Sequence, residues 1–471
     1  VVLQRTHRAA ITGLVLSLTL VTGCDVGEAK GGPKTGTGGA RPSAAASPRD
    51  GTGKAGPALT GPAIPGLAEK PSWSLASKKA GKCAGYAGTV RDGHSDEERC
   101  TVGDSAVLVE EAAQEDSADS RFIVRLRDLK TGALRKKLEV KVAEDPAGGP
   151  DEQRSAAADV VQVGEWKDGS PALLVRSRVR TPADGLQKSS LKSVFTMYDP
   201  RGVQLGSSSF DDTEYAGLPV RRGSLVDEGD VVEGGEHIPI GGGRTVHTRP
   251  LAGGGERLDQ GSGIDISVDS SYQPSSEWQV ATDAVTGKML WSTEDLEPPA
   301  AVREQLSADR GTSALVSAFE DGDKDKALLA WSAYGKTDSV LTLIDARTGH
   351  RITQGPAIEY NSVTDDDAFA TTPDGKITVT QFGEGAVGWD TESGEELWRQ
   401  AEDEQSITPR ALPGNGVLYA DLSEGASVAL DMRDKKILRS GIEELPEFST
   451  DGRYAVLRSD GGFFVLATRT V

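Results

Sequence analysis

Residues 282–293 read TDAVTGKMLWST: an alternating apolar run closes at Asp283, a turn follows, and a second apolar run carries Trp291. Two later stretches repeat the plan, DARTGHRITQ at 345–354 and DTESGEELWRQ at 390–400. Apolar residues in alternation mark a half-buried strand. An Asp side chain can accept from amides two or three residues on, and Gly supplies the positive φ of a chain reversal. Each copy therefore predicts a strand, a tight turn and an antiparallel return strand.

Three fainter copies extend the series: FIVRLRDLKTGALRKKLEV at 122–140, VFTMYDPRGVQLG at 194–206 and SVALDMRDKKILRS at 427–440. The turn aspartates are Asp128, Asp199, Asp283, Asp345, Asp390 and Asp431, separated by 71, 84, 62, 45 and 41 residues. The second copy is one residue short, and the sixth has Lys435 where Gly is expected, so those two turns are expected to differ. A further hairpin precedes each copy, as in Thr372-Pro373-Asp374-Gly375 ahead of KITVTQF. Four strands per unit at a late period of 41–45 residues is the pattern of β-propeller blades. The fold class is all-β, a propeller of four-stranded blades. Seven is the preferred count. Eight is the alternative, because the Gly- and charge-rich stretch 207–251 is long enough to hold another blade.

The last copy is followed by RYAVLRS and GGFFVLATRTV, two strands with no fourth after them. Just downstream of residue 70 stands Pro71-Ser72-Trp73-Ser74-Leu75, whose Trp-Ser resembles Trp291-Ser292. Residues 71–79 are therefore expected to supply the missing outer strand and close the ring, which leaves no open sheet edge. The pattern at 283–291, echoed at 390–398, resembles the blade repeat of the PQQ-like (quinoprotein-type) β-propeller superfamily. The chain also resembles envelope lipoproteins of high-GC Gram-positive bacteria that carry such a propeller behind a lipobox and a Gly/Pro/Ala tether. The resemblance covers residues 71–471 and implies fold more than function.

The N-terminal stretch gives an address. Arg5 and Arg8 precede an apolar run at 9–22 that is too short to span a bilayer, and the run ends in Val21-Thr22-Gly23-Cys24. These residues resemble a bacterial lipobox, which implies a signal peptide at 1–23 and acyl chains on Cys24, a membrane anchor on the outer face of the cell membrane. Residues 24–70 are rich in Gly, Pro and Ala with little apolar bulk and read as a disordered tether. Residues 71–471 form the folded domain. In an exported chain the remaining even pair, Cys83 and Cys100, is expected to form a disulfide.

Composition limits the function. The 471 residues carry a net charge of −20, which disfavours nucleic acid as a partner. Asp321, Asp323 and Asp325 alternate as in a calcium loop, but Lys326 stands where such a loop wants Gly, so they are a weak calcium candidate beside a plain hairpin turn. Residues 364–367 are similarly acidic. The histidines (His7, His94, His237, His247 and His350) show no zinc-ligand spacing. The quinoprotein resemblance implies an adjacent cysteine pair that this chain lacks, and no nucleophile elbow or phosphate loop occurs. No cofactor and no catalytic residue are expected. The expectation is a non-catalytic binding or scaffold module with a protein or cell-envelope partner. The competing reading is an enzyme or calcium-dependent sensor with its site in an acidic central channel.

Overall fold

The computed structural model describes residues 57–59, 61–86, 98–112, 119–143, 160–181, 190–211, 218, 220–230, 234–247, 257–259, 264–269, 278–283, 286, 288–304, 311–321, 324–333, 338–359, 369–382, 385–423, 425–459 and 461–471. Among the described residues strands dominate, with two single-turn helices, Ser77–Ala80 and Ala300–Arg303. Among the described residues no helix is long and apolar enough to cross a membrane.

Seven antiparallel four-strand meanders follow one another. The first runs through Thr101–Val102, Ser105–Ala112, Ser120–Asp128 and Leu134–Val142. The second runs through Val161–Glu165, Pro171–Thr181, Ser190–Tyr198 and Gln204–Asp211. The third begins at Val220–Arg221 and ends at Val246–His247, and the fourth spans Arg257–Asp259 to Met289–Ser292. The fifth runs from Gly311–Asp321 to Arg351–Glu359, the sixth from Phe369–Thr371 to Glu396–Arg399, and the seventh from Ile407–Ala411 to Ile437–Ile442. The last sheet combines Glu447–Phe448, Tyr454–Ser459 and Gly462–Ala467 with Trp73–Ala76. Serial four-stranded meanders of this kind are the architecture of propeller blades.

Burial explains the sequence pattern strand by strand. The middle strands lie between neighbouring sheets, so both their faces are covered. Ala327 to Trp331 is one unbroken buried run, and Ile377–Phe382 is buried at five of six positions. The outer strands keep one wet face, as the alternating exposure of Leu134–Val142 shows. Val, Leu and Ile dominate the clusters between sheets, where branched side chains suit a pleated surface.

The turn aspartates do what the sequence assigns them. Asp128 Oδ1 accepts from Thr131 N at 2.7 Å and Oγ1 at 2.8 Å. Asp345 binds Thr348, and Asp390 binds Ser393, in the same way. Gly132, Gly349 and Gly394 each donate to the Asp carbonyl four residues back, at φ of 70°, 70° and 78°. The short second copy closes one residue earlier, from Gly202 N to Asp199 O at 2.9 Å. The sixth turn, however, does not differ in backbone. Lys435 adopts φ 52° and donates its N–H to Asp431 O at 2.9 Å, as the glycines do. Its side chain offers a reason: Nζ bonds the Arg399 carbonyl at 2.9 Å and pairs with Glu404, which holds the strained residue in place.

The same motif docks one sheet on the next. Trp291 Nε1 donates to Ala346 O at 2.7 Å, and Trp398 Nε1 donates to Met432 O at 2.9 Å. In both cases the acceptor is the residue just after the turn Asp of the following meander. Trp73 Nε1 makes the equivalent bond, to Leu129 O at 2.8 Å. A second role for the turn glycine follows. A Cβ on Gly349 would lie 2.9 Å from Trp291 Cγ, and one on Gly132 would lie 2.8 Å from Trp73 Cγ.

Trp73–Ala76 pairs in antiparallel register with Gly462–Ala467, from Trp73 opposite Val465 to Ala76 opposite Gly462. The expected pairing of the segment after residue 70 with the C-terminal strands is thus present. Packing begins earlier than residue 71, however. Leu67 is buried and Ala68 N donates to Ala467 O at 2.9 Å, so the last residues assigned to the tether lie against the sheets. The stretch 207–251 holds the third meander. Its last turn, after Ile240, is built on Gly241, Gly242 and Gly243 at positive φ and has no Asp, which is why the repeat pattern skips it.

Candidate functional site

A cavity of about 1210 Å³ opens where several first hairpin turns converge. Each turn is fixed by its own aspartate or hydroxyl. Asp168 accepts from Ser170 N and Oγ at 3.0 and 2.6 Å, Asp374 from Thr372 Oγ1 at 2.7 Å, and Asp451 from Ser449 Oγ at 2.7 Å. The turns come from the first, second, sixth and seventh meanders and from the last sheet. Rigid turns on a sheet scaffold make a fixed rim, the usual setting for recognition.

The wall mixes charges. Arg99, Arg410, Arg453 and Arg458 face seven carboxylates, among them Asp104, Glu444 and Glu447. Arg458 Nη1 pairs with Glu98 at 2.5 Å and Arg410 Nε with Asp421 at 2.7 Å. Asp104 lies below the usual carboxylate range because Arg135 bonds both its oxygens, at 2.5 and 2.8 Å. Hydrogen bonds from Ser170 likewise lower Asp168.

Glu447 stands apart. Its oxygens accept from Cys100 N at 2.7 Å, Thr101 N at 2.8 Å and Thr101 Oγ1 at 2.6 Å, which ties the last sheet to the first meander. Burial raises its pKa, and the Thr101 and Cys100 donors oppose that rise only in part. Burial also raises Glu444, against the pull of Arg458. The cavity thus offers two carboxyls that resist ionisation among four guanidinium groups, a surface suited to polar and charged recognition.

Cys83 and Cys100 are joined in a disulfide with their Cα atoms 4.7 Å apart, both buried. The bond sits beside the cavity and fixes the short pair Ala84–Tyr86 and Glu98–Arg99. Ala84–Tyr86 also runs parallel to Val161–Glu165, and Val142 pairs with Arg178, so this short pair and the first two meanders form one ten-stranded sheet.

The calcium candidates do not come together as a described cluster. Asp325 is buried and held by Arg222 Nη2 at 2.9 Å and Arg347 Nε at 2.8 Å. Asp321 ends the strand Gly311–Asp321 and pairs in register with Lys324, while Asp323 lies outside the described residues. Cys24, His94 and residues 364–367 also lie outside them. His237 is buried in the third meander, and His247 Nδ1 is 3.0 Å from Glu236. Among the described residues no group of three His, Cys, Asp or Glu side chains could hold a metal ion.

Sequence reasoning missed Glu444, Glu447 and the four arginines. They converge from three stretches far apart in the chain, at 99, 410 and 444–458, and no local pattern marks such a meeting.

No family model matches the chain, and no curated protein matches it. Among solved structures it is similar to BamB from Moraxella catarrhalis, at 12% identity over 78% of this chain and 96% of that one, with a TM-score of 0.37. It is also similar to the computationally designed Ika8 protein, at 13% identity over 82% and 99% with a TM-score of 0.37. Sqt1 from Saccharomyces cerevisiae gives 11% identity over 78% and 100%, with a TM-score of 0.34. Likenesses at this level assign no activity or partner.

Proposed function

We propose that this chain is a lipid-anchored, extracytoplasmic β-propeller of the PQQ-like type that acts as a non-catalytic binding or scaffold module. In this reading the seven meanders and the composite last sheet are eight blades of a closed ring. The tryptophan bond from Trp73 to Leu129 and the Glu447 bonds to Cys100 and Thr101 join the last sheet to the first meander and support closure. Cys24 carries the anchor on the outer face of the cell membrane, and the partner is a protein or another envelope component.

The observation that carries the binding role is the cavity of about 1210 Å³, rimmed by turns from four meanders and the last sheet and charged with both signs. Asp168, Asp374 and Asp451 are engaged in their own turns and Asp104 is held by Arg135, so the cavity's arginines are arrayed on a preformed frame. Such a mouth suits a polar, extended partner better than a small apolar ligand.

Two measurements test the reading. Cys24→Ser should release the protein from membranes and abolish lipid labelling; unchanged membrane association would sink the anchor. A photo-crosslinking residue at Arg453 should capture one discrete envelope partner, and Arg410→Glu should abolish that capture. Equal yields from a site on the outer strand Leu134–Val142 would refute a role for the mouth.

A further inference from the structure

The seam between the seventh meander and the last sheet lacks the tryptophan bond that docks the fourth and sixth meanders on their neighbours. In the fourth and sixth meanders the residue eight places after the turn Asp is the docking tryptophan, Trp291 or Trp398. In the seventh that place holds Arg439, which points its guanidinium elsewhere: Nη1 donates to Pro62 O and Ala63 O, each at 2.6 Å. The last sheet also lacks a covalent turn between its third and fourth strands, since these come from opposite ends of the chain.

Residues 57–59 and 61–67 of the stretch PALTGPAIPGL take up this seam. Leu67, with Leu59 and Ile64, packs on Ala455, Leu457, Phe464 and Leu466 of the last sheet. Ile64 also touches the cluster of Val417, Tyr419, Ala429 and Ile442 in the seventh meander, so it is wedged between the two sheets. The segment's carbonyls are read one after another. Beyond Arg439, Tyr419 OH donates to Pro65 O at 2.6 Å, and Asn415 Nδ2 and Arg469 N donate to Gly66 O at 2.9 and 2.8 Å. Burial pushes the Tyr419 phenol up to about 12, so it stays a donor through the physiological range.

The chemistry is selective. Prolines at 57, 62 and 65 have no N–H to satisfy, and donors aimed at the carbonyls of Pro62, Ala63, Pro65 and Gly66 suit a segment that presents mainly acceptors. Gly66 is required twice over. Its φ is +75°, and a Cβ there would lie 2.4 Å from Asn415 Nδ2 and 2.8 Å from Val417 Cγ2. We propose that the slot between the seventh meander and the last sheet is a peptide-recognition site for an extended Pro/Gly-rich segment. In this chain its occupant is residues 57–67, bound by recognition in place of a covalent turn. The inference does not depend on the anchor or on the cavity partner.

The test uses the full chain carrying Gly66→Ala. Its melting midpoint should fall, and amide exchange should rise at 61–68 and in Val417–Leu422 while Ile377–Phe382 stays protected. Synthetic PALTGPAIPGL at millimolar concentration should then raise the midpoint saturably, as a ligand of the folded state must. The same peptide carrying Gly66→Ala should not. Failure of the first peptide, or an equal effect of the second, overturns the proposal. If Gly66→Ala does not fold, Tyr419→Phe serves instead: faster exchange at 61–68 is expected, and unchanged exchange there overturns the proposal.

Discussion

At the scale of single residues, Lys435 and Glu447 show strain or burial held by neighbours. A non-glycine residue in the left-handed region costs about 1–2 kcal/mol. Lys435→Ala keeps that strain and loses the bonds to Arg399 O and Glu404, so it should destabilise by about 1 kcal/mol in urea unfolding. Lys435→Gly also loses the bonds but relieves the strain, and should fall between the alanine variant and the parent. For Glu447 the sign runs with its raised pKa. The group favours the fold fully below its unfolded value near 4.5 and disfavours it increasingly as pH rises through the folded value. Glu447→Gln does not titrate, so its melting midpoint should gain on the parent between pH 4 and 7. A constant difference across that range would refute the assignment. Asp104, Asp168 and Asp390 act the other way: their lowered values give stability above the unfolded value near 3.8, lost as pH falls through the folded ones.

At the scale of elements, the recurring device is an outer strand whose tryptophan caps the next sheet's turn. Trp73→Phe keeps most of the apolar contact but strips the Leu129 carbonyl of its donor, which should cost about 1–3 kcal/mol by denaturant titration. Trp398→Phe should cost a similar amount through Met432. The strand–turn–strand copies were legible in the sequence because their signal is local: Asp128, Asp345 and Asp390 each bond within three residues. The third meander was not, because its Gly241–Gly243 turn dispenses with the Asp. Residues 57–67 read as tether by composition for a related reason. Their stabilising partners, Arg439 and Tyr419, lie hundreds of positions away, and Gly-Pro content alone cannot distinguish a bound extended segment from a free one. The cavity was illegible for the same cause, since Glu447 meets Cys100 across most of the chain.

At the scale of the whole molecule, the disulfide closes a short loop, while the pairing of Trp73–Ala76 with Gly462–Ala467 joins strands almost 400 residues apart. Losing the Cys83–Cys100 bond, with the 16 residues it encloses, should cost about 3 kcal/mol in the chain-entropy model. Cys83→Ala with Cys100→Ala should show this as a lower urea midpoint with the slope kept. Deleting residues 71–79 should lower the melting temperature far more than deleting 26–53, because the first removes the strand paired with Gly462–Ala467. Equal melting temperatures would argue against closure.

The pairing of Trp73–Ala76 with Gly462–Ala467 also sets a timetable. The first strand of the domain to be synthesised finds its partner only when the last has emerged, so most of the chain must wait with one sheet unfinished. Until then Trp73 and Leu75 lack the cover that Phe463 and Val465 give them in the finished fold, and a chain interrupted near its end leaves Trp73–Ala76 without its partner strand. Loss of the final two strands should therefore be far more damaging to yield than loss of equal length from the N-terminal linker, with the excess appearing as aggregate or proteolysed chain.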